Sequence, residues 1–129
     1  RMELLYKDLS TKIFDSIFAV HRALGPGLLE SAYEICLKKE LEDMGLWVET
    51  QKSLPLIYKG IELDAGYRVD LMVEQKIILE LKSVESIYPV HKAQVLTYLK
   101  LTGCSLGFLV NFNVALVKDG ITRMVLEQS

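Results

Sequence analysis

Hydrophobic positions recur along this chain with two different periods, and the switches between them mark out the elements. Leu9, Ile13, Ile17, Val20 and Leu24 fall at helical spacing, which predicts an amphipathic helix over residues 7–23. Gly25-Pro26-Gly27 stops it. A second helix is predicted over about 28–44, closed by Gly45. Strand-like segments follow at 47–53, 54–58 and 61–64, with Lys59-Gly60 as a turn. A hairpin is predicted next, one strand on each side of Glu74-Gln75-Lys76. Pro89 suits the first turn of a third helix, which should run to about Leu101 and end at Gly103. Residues 106–112 are almost continuously apolar, as in a strand buried on both faces. Asp119-Gly120 predicts a last hairpin between 114–118 and 121–126. The strand at 77–82, the helix at 89–101 and the strand at 106–112 form one unit. Its strands should be parallel and its crossover right-handed.

The hairpin register follows from arithmetic. If Val73 pairs with Ile77, opposed residues have numbers summing to 150. Asp70 then faces Glu80, and Arg68 faces Lys82. Because side chains alternate faces, Val69, Leu71, Val73, Ile77, Leu79 and Leu81 share one apolar side. Arg68, Asp70, Met72, Ile78, Glu80 and Lys82 share the other. A three-residue loop is a common length, although this one lacks the usual glycine. Asp70 opposite Glu80 is a like-charge pair, which a merely solvated sheet face would avoid.

Composition narrows the reading. With 129 residues, one domain over 1–129 is the natural count. Half the residues are apolar, which excludes a disordered chain. No apolar run approaches the roughly 20 residues of a membrane span. Arg1 before Met2 reads as an appended residue, and no signal peptide is expected. Cys36 and Cys104 have no metal-type spacing and are expected as buried free thiols of a cytoplasmic protein. The net charge of −2 and pI near 5.7 argue against tight non-specific nucleic-acid binding.

Two helices carry polar residues where a structural helix would not need them. Glu30 lies three, seven and eleven residues before Tyr33, Leu37 and Leu41, on their apolar side. The plain alternative is a carboxylate favoured by the helix dipole after Gly27. Glu34 has Lys38 four residues on and reads as a solvated pair. On the third helix His91, Gln94 or Val95, and Tyr98 fall along one line. A histidine, an amide and a phenol there could hydrogen-bond phosphate or orient a metal ligand, or serve as ordinary polar edges. No second histidine stands near His91 to make a metal pair, and His21 should pack at the end of the first helix.

Gly27-Leu28-Leu29-Glu30-Ser31-Ala32-Tyr33 matches the signature of the bacterial GxxExxY protein family. Leu24-Gly25-Pro26-Gly27 before it, and His91-Lys92-Ala93-Gln94-Val95-Leu96-Thr97-Tyr98-Leu99 later, are similar too. So are Leu109-Val110-Asn111-Phe112-Asn113 and Lys118-Asp119-Gly120-Ile121, so nearly the whole chain takes part. That family resembles the PD-(D/E)xK nuclease superfamily. The resemblance implies an α/β fold with a mixed central sheet flanked by helices. Its restriction-endonuclease-like core would run α-β-β-β-α-β, with an extra N-terminal helix and a C-terminal hairpin.

The resemblance also assigns roles. Glu30 is the carboxylate of the first core helix, Asp70 the motif aspartate, and Glu80-Leu81-Lys82 the (D/E)xK element. Gln94, followed by Tyr98, is the polar position of the next helix. The aspartate stands in Val69-Asp70 rather than a Pro-Asp pair. Mg²⁺ or Mn²⁺ is expected on Asp70, Glu80 and the Leu81 backbone carbonyl, with Glu30 supporting. Lys82 would orient the attacking water or stabilise charge developing on the phosphate, and His91, Tyr98, Tyr33 and Arg68 would touch substrate. The implied function is metal-dependent hydrolysis of DNA or RNA. The alternative is a non-catalytic module of the same fold that binds nucleic acid or a protein. A homodimer would suit a nuclease of this size.

Overall fold

The structure, a computed structural model, describes residues 6–127. The reading of Arg1 and Met2 lies outside them. Helices α1 (Lys7–Leu24) and α2 (Glu30–Asp43) come first, then strands β1 (Val48–Tyr58), β2 (Ile61–Val73) and β3 (Ile77–Lys82). Helix α3 (Pro89–Thr102) leads into β4 (Leu106–Asn111), a short 3₁₀ turn (Val117–Gly120) and β5 (Ile121–Val125). The five strands form one sheet in the order β1-β2-β3-β4-β5. β3 and β4 run parallel and every other neighbour pair is antiparallel. This is the mixed, helix-flanked α/β sheet expected. Among the described residues no helix is long and apolar enough to cross a membrane.

The sheet has a core on each face. Ile13, Ile17 and Val20 of α1, with Tyr33, Leu37 and Leu41 of α2, pack on Leu71, Ile77, Leu79, Phe108 and Val110. On the other face Val95, Tyr98 and Leu99 of α3 pack on Met72, Ile78 and Leu109. Each large apolar side chain sealed this way contributes roughly 1.5–3 kcal/mol. β3 is central and buried along nearly its whole length. Gly107 lets α3 close on β4: a Cβ there would meet Ile78 Cγ1 at 2.8 Å and Val95 Cγ1 at 3.3 Å.

Four expectations change. The segments at 47–53 and 54–58 are one strand, its register shifting between Leu54 and Leu56 around Pro55. The strand at 61–64 continues into the hairpin as the 13-residue β2. Together β1 and β2 extend beyond the sheet body as a ribbon, with Ile57, Tyr58, Ile61 and Leu63 all exposed. Residues 114–118 are not a strand. The Val114 carbonyl lies 2.9 Å from His21 Nε2, and the chain turns through Val117–Gly120 so that β5 pairs directly with β4. Gly120 presses against β4 so closely that any Cβ would collide with the Asn111 carbonyl.

The fourth change concerns the central hairpin. Val73↔Ile77, Met72↔Ile78 and Leu71↔Leu79 pair in the predicted register, and the ladder then stops. Arg68 does not face Lys82; it pairs with Ser53 of β1. Val69 lies in the core under α3, opposite to Leu71 and Val73. The face alternation therefore breaks at Asp70, where the two strands part. Of the two thiols, Cys104 is buried and Cys36 only half-buried.

Glu74 and Gln75 both take φ +54 in the hairpin turn, a conformation that suits glycine. Glu74 has a compensating role, because its Oε2 accepts from Trp47 N at 2.6 Å. Gln75 has only the strain. Gln75→Gly is expected to raise stability by about 0.5–1 kcal/mol, read as a higher urea midpoint at unchanged slope.

Candidate functional site

The site lies where β2 and β3 part, and the parting is bridged by side chains. In place of the next ladder bonds, Asp70 N donates to Glu80 Oε1 at 2.9 Å. Leu81 N donates to Asp70 Oδ2 at 2.8 Å. Each carboxylate thus satisfies a backbone N–H of the opposite strand, and the two negative groups are held side by side. Leu81 N points into this gap, so the Leu81 carbonyl points the same way, because both groups of a strand residue face one edge.

Burial and repulsion act on both acids. Glu80 is only 4% exposed. Its carboxyl is pushed up to about 8, first by burial and then by the Asp70 charge, with Lys82 pulling the other way. Asp70 is raised as well, mainly by burial, against the opposing Leu81 and Gln51 hydrogen bonds. A close pair of carboxylates that resists ionisation is a site short of positive charge.

Glu30 begins α2, directly after the turn at Gly27. It is exposed, unlike Tyr33, Leu37 and Leu41, whose apolar side it was expected to share. Its Oε2 accepts from Ser83 N at 3.3 Å, and Ser83 Oγ donates to the Leu28 carbonyl at 2.6 Å. The end of β3 is thereby tied to the start of α2, near enough for the Glu30 charge to bear on Asp70 and Glu80. Among the described residues, no three His, Cys, Asp or Glu side chains are grouped to hold a metal ion. Glu30 stands at the rim of the pair.

The donor set still fits Mg²⁺. That ion is commonly held by one or two carboxylates and keeps several waters. Asp70, Glu80 and the Leu81 carbonyl supply oxygen donors of that kind at the mouth of the gap.

From the other side α3 brings Tyr98 and Gln94. Gln94 Nε2 donates to the Tyr98 hydroxyl at 2.9 Å. Burial raises the Tyr98 phenol, and the negative charge of Glu80 adds to it. Lys82, at the end of β3, is half-buried beside the two acids.

Three expected substrate contacts have protein partners of their own. Tyr33 is fully buried and stacked on Phe112 at 4.2 Å. Its hydroxyl donates to the Gly25 carbonyl at 2.6 Å and accepts from Leu28 N at 3.1 Å. It braces the turn before Glu30 and cannot touch a substrate. His91 Nδ1 accepts from Tyr88 N at 3.0 Å and closes the start of α3. Arg68 Nη1 donates to Ser53 Oγ and to the Tyr67 carbonyl, both at 3.1 Å, on the outer ribbon.

Two residues of the site were not expected there. Gln51 Nε2 donates to Glu34 Oε1 at 2.6 Å and to Asp70 Oδ1 at 3.2 Å. Glu34 is thus turned to the site and is no mere partner of Lys38, which lies 3.9 Å from Glu42. Glu34 sits one helical turn after Glu30, a spacing that signals a shared face. Gln51 had no signal until the β1 register was known.

The model of a family described as the PD-(D/E)XK nuclease superfamily matches residues 7–124. No curated protein and no solved structure matches the chain.

Proposed function

Because the chain belongs to the PD-(D/E)XK nuclease superfamily, we propose that it is a divalent-metal-dependent nuclease hydrolysing phosphodiester bonds of DNA or RNA. The observation that carries this reading is the reciprocal bonding of Asp70 and Glu80 across the parted hairpin. It keeps two buried acids together although both resist ionisation there. Such an arrangement is stabilised by a cation. The Gly27-to-Tyr33 signature further supports placing the chain in the GxxExxY branch.

Asp70, Glu80 and the Leu81 carbonyl would hold Mg²⁺ or Mn²⁺. When bound, the ion supplies an acidified water and neutralises charge on the phosphate. The chain's own residues do the rest. Glu80 gives up its proton when its oxygens are taken as ligands, so occupancy should rise with pH toward 8. Lys82 presents a point charge to the phosphate oxygens as they gain charge. Gln94 holds the Tyr98 hydroxyl beside Glu80 and can offer its remaining polar capacity to water or phosphate. Glu30 keeps the rim negative, which favours a divalent cation over a bare phosphate.

Single-stranded DNA, duplex DNA and RNA incubated with Mn²⁺ provide the test. Cleavage of one class by the parent is expected. Lys82→Ala should lower it by about a hundredfold or more. Equal cleavage by Lys82→Ala would assign the activity to a contaminant. No cleavage of any class by a parent that binds Mn²⁺ would favour a non-catalytic binding module.

A further inference from the structure

Gln51 holds an unfavourable backbone conformation where β1 and β2 both change face. Its φ is +50, in the left-handed region that a glutamine seldom adopts. The pairing on either side is undisturbed: Thr50↔Leu71 and Lys52↔Val69 keep one register. No extra residue is being accommodated there. The turn of the backbone at Gln51 carries the change of face between Val48 and Leu54, and it also sends the side chain to two acids.

The Gln51 amide is shared between two acids. Its Nε2 donates to Glu34 Oε1 at 2.6 Å and to Asp70 Oδ1 at 3.2 Å. Asp70 Oδ2 is already fixed by Leu81 N at 2.8 Å. Both oxygens of Asp70 are therefore held, one by β3 and one by β1. A carboxylate oxygen can accept such a bond and still ligate a cation, because it has two lone pairs. Glu34, on α2, fixes the far side of the amide.

We infer that Gln51 is a positioning residue for the metal-binding carboxylate: it aims Asp70 Oδ1 at the cation and is itself anchored by Glu34. This rests on the nuclease reading given above. The residue type suits the role. An amide offers two N–H groups without a full charge, so it can steady two carboxylates without competing with the cation. A lysine in its place would neutralise the pair and displace the metal. The neighbouring charges agree: burial raises the Glu34 carboxyl, the Gln51 bond lowers it, and the Asp70 charge raises it.

Gln51→Gly separates this role from a structural one, because glycine relieves the strained φ while removing the amide. Mn²⁺ binding is measured by calorimetry on the full chain, and melting temperature on the same samples without metal. The melting temperature of Gln51→Gly should equal or exceed the parent's. Its Mn²⁺ dissociation constant should rise about 10- to 100-fold. Gln51→Asn tolerates the same backbone conformation but is too short to span both acids, and should weaken binding similarly. Glu34→Gln, which loosens the anchor only, should weaken it less. A Gln51→Gly protein that binds Mn²⁺ as the parent does overturns the inference and leaves the nuclease reading standing. So does one whose weaker binding comes with a lower melting temperature. A parent that takes up no Mn²⁺ overturns the nuclease reading and this inference with it.

Discussion

Asp70→Asn is expected to abolish divalent-cation binding and to lower cleavage by about a thousandfold or more, while the fold becomes more stable. The two halves of this expectation come from the same geometry. An asparagine carbonyl can still accept from Leu81 N, so the bond that spans the parted strands survives. What disappears is the charge beside Glu80, together with the weaker 3.2 Å bond that Oδ1 accepts from Gln51 Nε2. Keeping that acceptor avoids the roughly 1–3 kcal/mol cost of an unsatisfied buried N–H, and losing the charge relieves the raised Glu80 carboxyl. Asp70→Ala removes both, so it should lose metal binding and fold stability together. Calorimetric titration with Mg²⁺ or Mn²⁺, paired with urea unfolding, checks both variants. Undiminished metal binding by Asp70→Asn would remove Asp70 from the site.

The second large effect is on pH dependence without metal. The Glu80 carboxyl is raised from an ordinary 4.5 to about 8 on folding. Between those values the folded chain keeps a proton that the unfolded chain has released. The unfolded state then binds fewer protons, so stability falls as pH rises across that window. Below about 4.5 both states are protonated and the penalty vanishes. The loss across the window should be on the order of a few kcal/mol. Glu80→Gln should flatten this slope and be the more stable protein at pH 8. Adding Mg²⁺ to the parent should restore stability most strongly at high pH, where proton competition is weakest. Urea midpoints at pH 5, 6.5 and 8, with and without Mg²⁺, read all of this. A parent equally stable at pH 5 and 8 without metal would contradict it.

Much of this site was legible before any coordinates, because a hairpin is local. The sum rule placed Val73 on Ile77 and brought Asp70 to Glu80, and the structure keeps that register for three pairs. What it could not show is that the register ends there. Two adjacent acids disrupt a ladder, and each acid then takes a backbone N–H of the other strand. Val69 was misassigned to the wrong face for the same reason. Glu34 was read through its nearest charged neighbour in sequence, Lys38, although its partner lies on β1, which local spacing does not reveal. Gln51 needed the β1–β2 register, and the Pro55 shift obscured that strand as two pieces. Tyr33 sits in a signature that looks functional, and it is. Its function is to brace the turn ahead of Glu30. Residues 114–117 are a short apolar run before the Asp119-Gly120 turn signal, but the pairing edge of β4 is taken by β5.

The exposed β1–β2 ribbon divides the molecule by timescale. Residues 57–68 are exposed throughout, so opening them uncovers little apolar surface and requires little free energy. Ile77–Lys82, between two cores, can be uncovered only by undoing the whole sheet. Backbone amides of the ribbon should therefore exchange with deuterium in seconds to minutes, and those of β3 only through global unfolding. Asp70 lies two residues from the boundary between these regimes. The carboxylate that most needs a fixed position stands where the rigid part of the chain begins.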